Sequence, residues 1–290
     1  MRLLAAHGLR PDIDLGQHFL LDENLADLAV REAAVGPDDV ALEIGAGLGV
    51  LTAALARAAR AVHAVEIDRR LEPALTEVVA RSRNVIVHWG DAMRMPLEDL
   101  DPPPTAFVSN LPYAIATPAV VESLWRLPAV ARWCVMAQRE VVDRWLAPPG
   151  SRLYGAPSVL VQLTAEATFR RAVGREVFAP RPRVDSALVA LRRVAPGPAP
   201  AVRALVRAAF ASRRKTLVNS LAAAGADKAA AAAALTALGQ LPTARPEQIP
   251  PAAFAALAEA LSWPAPRGSR RPSSTCACWS GRGAPTATTP

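Results

Sequence analysis

Three glycines lie at alternate positions directly after an apolar run of the chain. Gly45, Gly47 and Gly49 follow residues 40–44, which have the length of a buried strand, and precede an alanine- and leucine-rich segment typical of a helix. A strand, a glycine turn and a helix N-terminus together offer free backbone N–H groups to a nucleotide cofactor. The G-x-G-x-G spacing differs from the G-x-G-x-x-G spacing of dinucleotide sites. Taken alone, the stretch fits a cofactor loop and a plain tight turn equally well.

Polar side chains lie at or just after the ends of the next three predicted strands. Glu66 lies near the end of the second strand, where an acid can accept both ribose hydroxyl protons, and Asp91 follows the third, within reach of an adenine amine. Asn110 follows the fourth strand. These strands are predicted at 61–67, 84–89 and 105–109. Each residue could be an ordinary solvated side chain, but four polar motifs in succession at strand ends favour a ligand crevice.

The ordered set of motifs resembles a known family. It is similar to the Rossmann-like S-adenosyl-L-methionine (SAM) methyltransferases, and within them to the ribosomal RNA adenine N6-dimethyltransferases of the small-subunit (KsgA/RsmA) type. Besides the stretches above, the resemblance is carried by LGQHFL at 15–20, NLPY at 110–113, YGAPSV at 154–159, VFAPRPRVDS at 177–186 and RRKTL at 213–217. It implies an α/β fold, with a Rossmann-like SAM-binding sheet and a small C-terminal all-α domain.

The same resemblance names the residues expected to bind SAM. The segment 17–20 matches the part of the family that lies across the bound cofactor, and His18 stands where many relatives have asparagine. A lone histidine would otherwise be an unremarkable surface or core residue. The expected cofactor-binding residues are His18, Leu20, Gly45, Gly47, Glu66, Asp91 and Asn110.

The tetrapeptide at 110–113 can solve the chemical problem of methylating an adenine N6 amine, whose lone pair is conjugated into the ring. Asn110 can accept from the amine through its side-chain carbonyl, and Leu111 through its backbone carbonyl, because Pro112 biases Leu111 towards extended geometry. Tyr113 supplies a face for stacking. Phe178 resembles the family residue that closes the other face. The competing interpretation is a strand exit at 110–113 and a core phenylalanine.

Positive charge is concentrated in one part of the chain. The net charge is +7, and residues 168–220 hold 12 basic and 2 acidic residues. Such asymmetry points to a polyanionic partner, although a solvated arginine-rich face is the alternative. The expected RNA-phosphate contacts are Arg170, Arg171, Arg175, Arg181, Arg183, Arg213, Arg214 and Lys215. Asp12 and Asp14 stand where the family usually has lysines, which removes positive charge expected near the RNA.

Composition and cysteine spacing indicate the cellular compartment and argue against a metal site. The 290 residues include no run that could span a membrane and no signal peptide, and we expect a cytoplasmic monomer. The three cysteines have no framework spacing, which fits a reducing cytosol. Cys134 lies in an apolar run and is predicted to be buried. No metal site is expected, because Cys276 and Cys278 lack further ligands nearby.

The periodicity divides the chain into four parts. We expect an irregular N-terminal arm at 1–14, a SAM-binding domain at 15–195, a helical RNA-contacting domain at 201–263 after a proline-rich linker, and a disordered tail at 264–290. Residues 159–163 and 187–191 are predicted as the last strands, an antiparallel pair at the sheet edge. Helices are predicted at 25–34, 50–59, 118–127, 139–146, 201–211, 216–224, 228–238 and 251–261, and a strand at 132–137.

Three functions remain open on the sequence alone. The leading one is dimethylation of two adjacent adenines near the 3′ end of 16S rRNA, in the small ribosomal subunit or its assembly intermediate. The motifs VDS at 184–186 and RRKTL favour it, whereas the basic tail favours the related Erm type, which methylates 23S rRNA and confers macrolide resistance. The third is a non-catalytic ribosome-assembly factor, against which the intact SAM motifs argue. The glycine spacing disfavours a NAD-dependent oxidoreductase.

Overall fold

The computed structural model describes residues 2–12, 15–212 and 214–265, with the side chains of residues 2 and 3 left out. Arg213, Asp14 and the predicted tail from residue 266 onward lie outside the described residues. The strands are β1 (Phe19–Leu20), β2 (Val40–Ile44), β3 (Ala61–Glu66), β4 (Val85–Trp89), β5 (Ala106–Asn110), β6 (Arg132–Gln138), β7 (Ala165–Val173), β8 (Phe178–Ala179) and β9 (Ser186–Arg193). The helices are α1 (Arg2–Ala6), α2 (Glu23–Glu32), α3 (Val50–Ala58), α4 (Glu72–Val79), α5 (Ala116–Arg126), α6 (Arg139–Trp145), α7 (Ala156–Gln162), α8 (Pro200–Ala209), α9 (Leu217–Ala223), α10 (Lys228–Ala237) and α11 (Pro251–Ala260).

Seven of these strands form the central sheet, in the order β4-β3-β2-β5-β6-β9-β7. The neighbours from β4 to β6 pair in parallel, and β9 pairs antiparallel with both β6 and β7. The chain moves outward from β2 to β4 on one side and then continues from β5 on the other side. The strand order therefore reverses between β2 and β5, and open α/β sheets bind ligands at such a switch point. The predicted α/β class is confirmed.

Helices cover both faces of the sheet, so the central strands are buried on both sides. Along β6, Trp133 and Val135 belong to one hydrophobic core, which includes α5 and α7. Cys134 and Met136 belong to the other, which includes α2 and α3. Side chains of a strand point alternately to opposite faces, which explains the division. Cys134 is buried as predicted, and burial raises the pKa of its thiol.

The prediction of a strand at 159–163 is wrong. These residues belong to the helix α7, where Pro157 lies in the first turn and the backbone N–H of Gly155 donates to Ser158 Oγ at 3.0 Å. A short apolar run fits a buried strand or a buried helix equally well, and periodicity cannot separate them. The edge partner of β9 is instead β7, which sequence analysis missed and which carries a register irregularity between Ala167 and Phe169.

The prediction of an irregular arm is wrong for its first residues, which form α1. Leu4 is buried in a small cluster with Phe19, Leu48 and Leu71. A helix of five residues is unstable in isolation, so burial of Leu4 against distant residues is what stabilises it. No helix in the described part of the chain is long and apolar enough to cross a membrane.

The C-terminal helices pack directly on the sheet-bearing part of the chain. Helices α8 and α11 both contact α7, and their apolar residues join the same core as the sheet. The predicted linker is part of this packing, because a Cβ atom on Gly197 would lie 2.4 Å from the carbonyl oxygen of Leu124. The four helices occur close to where the sequence places them, and the division into domains stays a prediction.

Tyr154 connects the loop before α7 to the C-terminal helices. Its hydroxyl donates to the backbone carbonyl of Ile249 at 2.9 Å, and both residues are buried. Its ring lies 6.2 Å from that of Phe210, which in turn stacks on Phe254 at 5.8 Å. Burial raises the pKa of the Tyr154 hydroxyl, which therefore stays protonated and can donate.

We expect Tyr154→Phe to destabilise the fold by about 1–3 kcal/mol, because it leaves the buried Ile249 carbonyl without its donor. Urea unfolding would measure the loss. Tyr113→Phe is the matched control, since it removes a tyrosine hydroxyl that is only partly buried and bonds to a serine hydroxyl. Equal losses for the two variants would contradict a special role for Tyr154.

Candidate active site

A glycine turn forms the floor of a cleft at the carboxyl ends of the parallel strands. The backbone N–H groups of Gly45 and Ala46 donate to the carbonyl of Val65, at 2.8 and 3.2 Å, which ties the turn to β3. Gly45 and Gly47 have φ angles of 79° and 55°, a region that favours glycine. A Cβ atom at Gly45 would lie 3.1 Å from Pro112 Cδ, and one at Gly47 3.0 Å from Phe19 Cδ1. A side chain at either position would therefore strain the backbone and crowd the walls of the cleft.

Glu66 presents a nearly buried carboxylate to this cleft, with 5% of the residue exposed. Its Oε2 accepts from the backbone N–H of Gly47 and its Oε1 from that of Asp68, both at 2.8 Å. Burial raises the pKa of the carboxyl, and these backbone N–H groups oppose the rise. A carboxylate offers about four acceptor positions, so lone pairs remain for a ligand's hydroxyl groups.

Asn110, the last residue of β5, also lines the cleft. Its side-chain nitrogen donates to the backbone carbonyl of His18 at 3.0 Å. Because a carbonyl can only accept, this contact assigns the amide orientation and makes the side-chain oxygen the atom that can accept from a ligand. The backbone N–H of Leu111 donates to Met136 O at 3.0 Å, which holds the start of the tetrapeptide on β6.

Tyr113 is held from two directions. Its hydroxyl shares a hydrogen bond of 3.0 Å with Ser186 Oγ, and its ring centroid lies 5.4 Å from that of His18. Burial raises the pKa of Tyr113. His18 is itself oriented, since its Nδ1 donates to the carbonyl of Pro180 at 2.7 Å. The ring of Tyr113 is therefore a fixed wall of the cleft.

A two-stranded ribbon brings Phe178 to the same cleft. In it, β1 pairs antiparallel with β8, so Leu20 lies opposite Phe178, and both are buried. Both residues were predicted to lie at the cofactor or substrate, but the ribbon was not predicted, because strands of two residues carry no periodic signal.

The cleft brings together all the predicted cofactor-binding and catalytic residues. Its empty space, including the open mouth, is about 1210 Å³, which is enough for a nucleoside cofactor and a nucleobase. Asp91 is in place, with its Oδ1 accepting from the backbone N–H of Met93 at 2.9 Å. The predicted residues that line the cleft are His18, Leu20, Gly45, Gly47, Glu66, Asp91, Asn110, Leu111, Pro112, Tyr113 and Phe178. Their individual roles stay predictions.

One titratable residue of the cleft, Glu43 on β2, was not predicted from the sequence. It is 1% exposed, and Thr52 Oγ1 on α3 donates to its Oε2 at 2.6 Å. Burial raises the pKa of Glu43 to about 8, against the lowering effect of the Thr52 hydrogen bond. A carboxyl in the middle of an otherwise apolar strand was the signal that could have identified it.

Several of the predicted RNA-contacting arginines lie on or beside the edge strand of the sheet. Arg170 and Arg171 are exposed on β7, and Arg170 forms an ion pair with Asp143. Arg175 is paired with Asp185 at 2.8 Å. These ion pairs reduce the positive charge that Arg170 and Arg175 can offer to a polyanion.

The other predicted RNA contacts are spread over two exposed loops. Arg181 and Arg183 are exposed between β8 and β9, and Arg214 and Lys215 between α8 and α9. Arg213 lies outside the described residues. The described members of the basic set do not line the cleft, so they would contact a ligand that extends beyond it.

The fold and the cleft define a class of protein, the Rossmann-like SAM-dependent methyltransferases. The residues present fit SAM. Glu66 offers carboxylate lone pairs at the end of the second parallel strand, and side chains at Gly45 or Gly47 would crowd the floor against Pro112 and Phe19. The Asn110 oxygen lies at the same cleft and is available to a substrate amine.

Comparisons with known proteins identify the family. The model of the ribosomal RNA adenine dimethylase family matches residues 9–260, and the chain belongs to that family. It is 47% identical to ribosomal RNA small subunit methyltransferase A of Streptomyces avermitilis, over 89% of this chain and 90% of the relative. It is 46% identical to the protein of the same name from Thermobifida fusca, over 89% and 93%. The chain is therefore a SAM-dependent rRNA adenine dimethyltransferase, and ribosomal RNA is its partner.

Two solved structures are similar to this fold. A dimethyladenosine transferase from Plasmodium falciparum has the same fold, with a TM-score of 0.69 at 24% identity, over 83% of this chain and 96% of that one. The 23S rRNA methyltransferase ErmE is similar with a TM-score of 0.63 at 30% identity, over 84% and 99%.

Glu43 predicts a pH dependence of stability. Its pKa is about 8 in the folded protein and about 4.5 ordinarily, so between these values the folded state holds a proton that the unfolded state releases. Stability therefore falls as pH rises from about 4.5 to about 8, by at most about 1.4 kcal/mol per pH unit. Glu43→Gln should remove this slope. We expect the variant to exceed the parent in free energy of unfolding, and the difference to be greatest above pH 8.

Urea unfolding of the cofactor-free protein at pH 5, 6.5 and 8 would measure this slope. Glu140→Gln is the control, because the Glu140 side chain is 72% exposed and its neutralisation should leave the profile unchanged. Parallel profiles for the parent and Glu43→Gln would show that the Glu43 carboxyl titrates normally.

Proposed function

We propose that this enzyme dimethylates two adjacent adenines near the 3′ end of 16S rRNA, in the small ribosomal subunit or its assembly intermediate. The observation that carries the proposal is the 46–47% identity, over 89% of the chain, to two relatives that are both named for the small subunit. We further propose that it acts as a monomer in the cytoplasm, where ribosomal subunits are assembled.

The Erm-type alternative, methylation of 23S rRNA, has weaker support. The similarity to ErmE is 30% in sequence, well below that to the small-subunit relatives. Ser186 of the VDS motif also has a definite place in this fold, because it holds the hydroxyl of Tyr113. A non-catalytic assembly factor is disfavoured, because Glu66, Asn110 and Tyr113 all line one cleft.

In the proposed mechanism, the tetrapeptide aligns the adenine N6 amine. When bound, SAM supplies a methyl group activated by its sulfonium. The Asn110 side-chain oxygen and the Leu111 carbonyl each accept a hydrogen bond from the amine, which turns the nitrogen lone pair towards the methyl group. The bond from Asn110 to His18 supports this role, because it fixes the side chain before the substrate arrives.

Two aromatic rings hold the adenine base in this scheme. Tyr113 stacks on one face of the base and Phe178 closes the other, with each stacking contact contributing about 1–3 kcal/mol. The hydrogen bond to Ser186 and the contact with His18 keep the Tyr113 ring from rotating away. The amine loses its proton readily once methylated, so no dedicated base is needed. The target adenine leaves its stack to reach the cleft.

Affinity for RNA comes from the exposed basic residues outside the cleft. Phosphate contacts supply binding energy and orientation without reading sequence. The exposed residues Arg171, Arg181, Arg183, Arg214 and Lys215 suit this role, since no ion pair engages them among the described residues. Arg170 and Arg175 share their charge with Asp143 and Asp185 and contribute less.

Tritiated-methyl transfer to unmethylated small and large ribosomal subunits, with the modified base mapped, tests the function. We expect labelling of the small subunit, and a single-turnover rate about 100- to 1000-fold lower in Asn110→Ala at saturating SAM. Subunit affinity should persist, because the phosphate contacts lie elsewhere. Asn24→Ala, on the exposed face of α2, is the control and should keep the parental rate.

Other outcomes of this experiment separate the alternatives. Labelling of the large subunit alone would support the Erm-type function, and SAM binding without transfer to either subunit would support the assembly factor. A parental rate in Asn110→Ala would remove Asn110 from the mechanism and leave the tetrapeptide a structural turn.

The RNA-binding residues have their own test. Reversing the charge at Arg181, Arg183, Arg214 and Lys215 should weaken subunit binding and reduce its salt slope by about 0.7–0.9 for each phosphate that the variant no longer neutralises. SAM affinity should be unchanged. Arg81→Glu, an exposed change between α4 and β4, is the control. An unaltered salt slope would mean that these residues form only a solvated face.

A further inference from the structure

Arg70 joins two carboxylates that lie far apart in the sequence. Its Nε donates to Asp68 Oδ1 at 2.7 Å and its Nη2 to Asp68 Oδ2 at 2.8 Å, a two-point contact. The same Nη2 donates to Asp12 Oδ2 at 2.7 Å. Asp12 is one of the acids that stand where the family usually has lysines. In this chain an acid at that position contacts Arg70 directly.

Gln17 makes a second connection between the same two regions. Its Oε1 accepts from the backbone N–H of Asp12 and its Nε2 donates to Asp68 Oδ2, both at 2.8 Å. The side chain of Asp68 is 5% exposed, whereas that of Arg70 is 55% exposed. The hydrogen bonds from Arg70, and then that from Gln17, hold the pKa of Asp68 below its ordinary value. Asp68 is therefore a charged, nearly buried centre for contacts from neighbouring residues.

These contacts continue into the cofactor cleft. The backbone N–H of Asp68 donates to Glu66 Oε1, and Glu66 Oε2 accepts from Gly47. Gln17 directly precedes His18, whose carbonyl accepts from Asn110. Residues 15–20, here called the N-terminal wall, form one side of the cleft. Gln17 thus ties the N-terminal wall to the strand end that carries Glu66.

We propose that Asp12, Gln17, Asp68 and Arg70 form a latch of positioning residues that holds the N-terminal wall on the cleft and thereby sets the affinity for SAM. A wall that is ordered before the cofactor arrives does not have to be ordered on binding, which improves affinity without any new contact to the ligand. The latch acts through Glu66 and the wall, and its own side chains do not react.

Calorimetric titration of the full chain with SAM tests the latch. We expect Arg70→Gln to raise the Kd for SAM about tenfold and Asp12→Asn about threefold. The double variant should match Arg70→Gln, because the ion pair between the two residues is already absent in that single variant. The control is the ion pair between Arg57 and Asp27, which joins α3 to α2 at 2.7 Å, with side chains 59% and 46% exposed. Arg57→Gln and Asp27→Asn, alone or together, should leave the Kd within twofold.

Hydrogen exchange of the cofactor-free protein gives an independent readout. Amides of residues 15–20 should exchange faster in Arg70→Gln than in the parent, while those of β6 should not change. Methyl transfer at saturating SAM should keep the parental rate, with only the KM for SAM raised. An unchanged Kd in Arg70→Gln, or additive effects in the double variant, would overturn the latch. If Arg70→Gln does not fold, Asp12→Asn decides, and an unchanged Kd and unchanged exchange in that variant overturn the proposal.

Discussion

The burial of the Glu66 carboxylate is the constraint on which the rest of the cleft depends. A nearly buried carboxylate is costly unless it is hydrogen-bonded, and here the backbone N–H groups of Gly47 and Asp68 supply the bonds. The first holds the glycine turn against the end of β3, in a position where side chains at Gly45 and Gly47 would crowd Pro112 and Phe19. The second places Asp68 where Gln17 and Arg70 can reach it. The Glu66 carboxylate therefore connects the glycine turn at the floor of the cleft to Asp68 and, through Gln17, to the N-terminal wall.

The side of the cleft that carries residues 110–113 is assembled from distant parts of the chain by hydrogen bonds and strand pairing. Asn110 is oriented by the carbonyl of His18, and Tyr113 by the hydroxyl of Ser186. The ribbon of β1 and β8 brings Leu20 opposite Phe178. Each contact joins residues more than 70 positions apart, so the geometry that we propose for methyl transfer exists only in the complete fold. Rigid, preorganised contacts of this kind are what a reaction limited by alignment needs.

The sequence by itself determined the class of fold and predicted a crevice whose expected cofactor-binding and catalytic residues all line one cleft. Strand periodicity and glycine spacing are local properties, and residues such as Glu66, Asp91 and Asn110 lie at or just after strand ends. The carboxyl ends of parallel strands meet at one edge, so local pattern was enough to predict that these side chains converge. The helices beyond residue 200 were predicted within a few residues for the same reason, since proline and glycine mark their ends.

Only the tertiary structure decided the features that depend on burial and on long-range pairing. Residues 156–162 form a helix and residues 165–173 form the edge strand. The sequence could not predict the helix, because a short apolar run has no periodicity that separates a buried helix from a buried strand. Leu4 stabilises a helix in the expected arm only through contacts with Phe19 and Leu71. The raised pKa of Glu43 and the joining of Asp12 to Asp68 through Arg70 likewise require neighbours that the sequence keeps far apart. Desolvation and hydrogen bonding act over a few ångströms in space, and sequence distance does not reveal which groups will be that close.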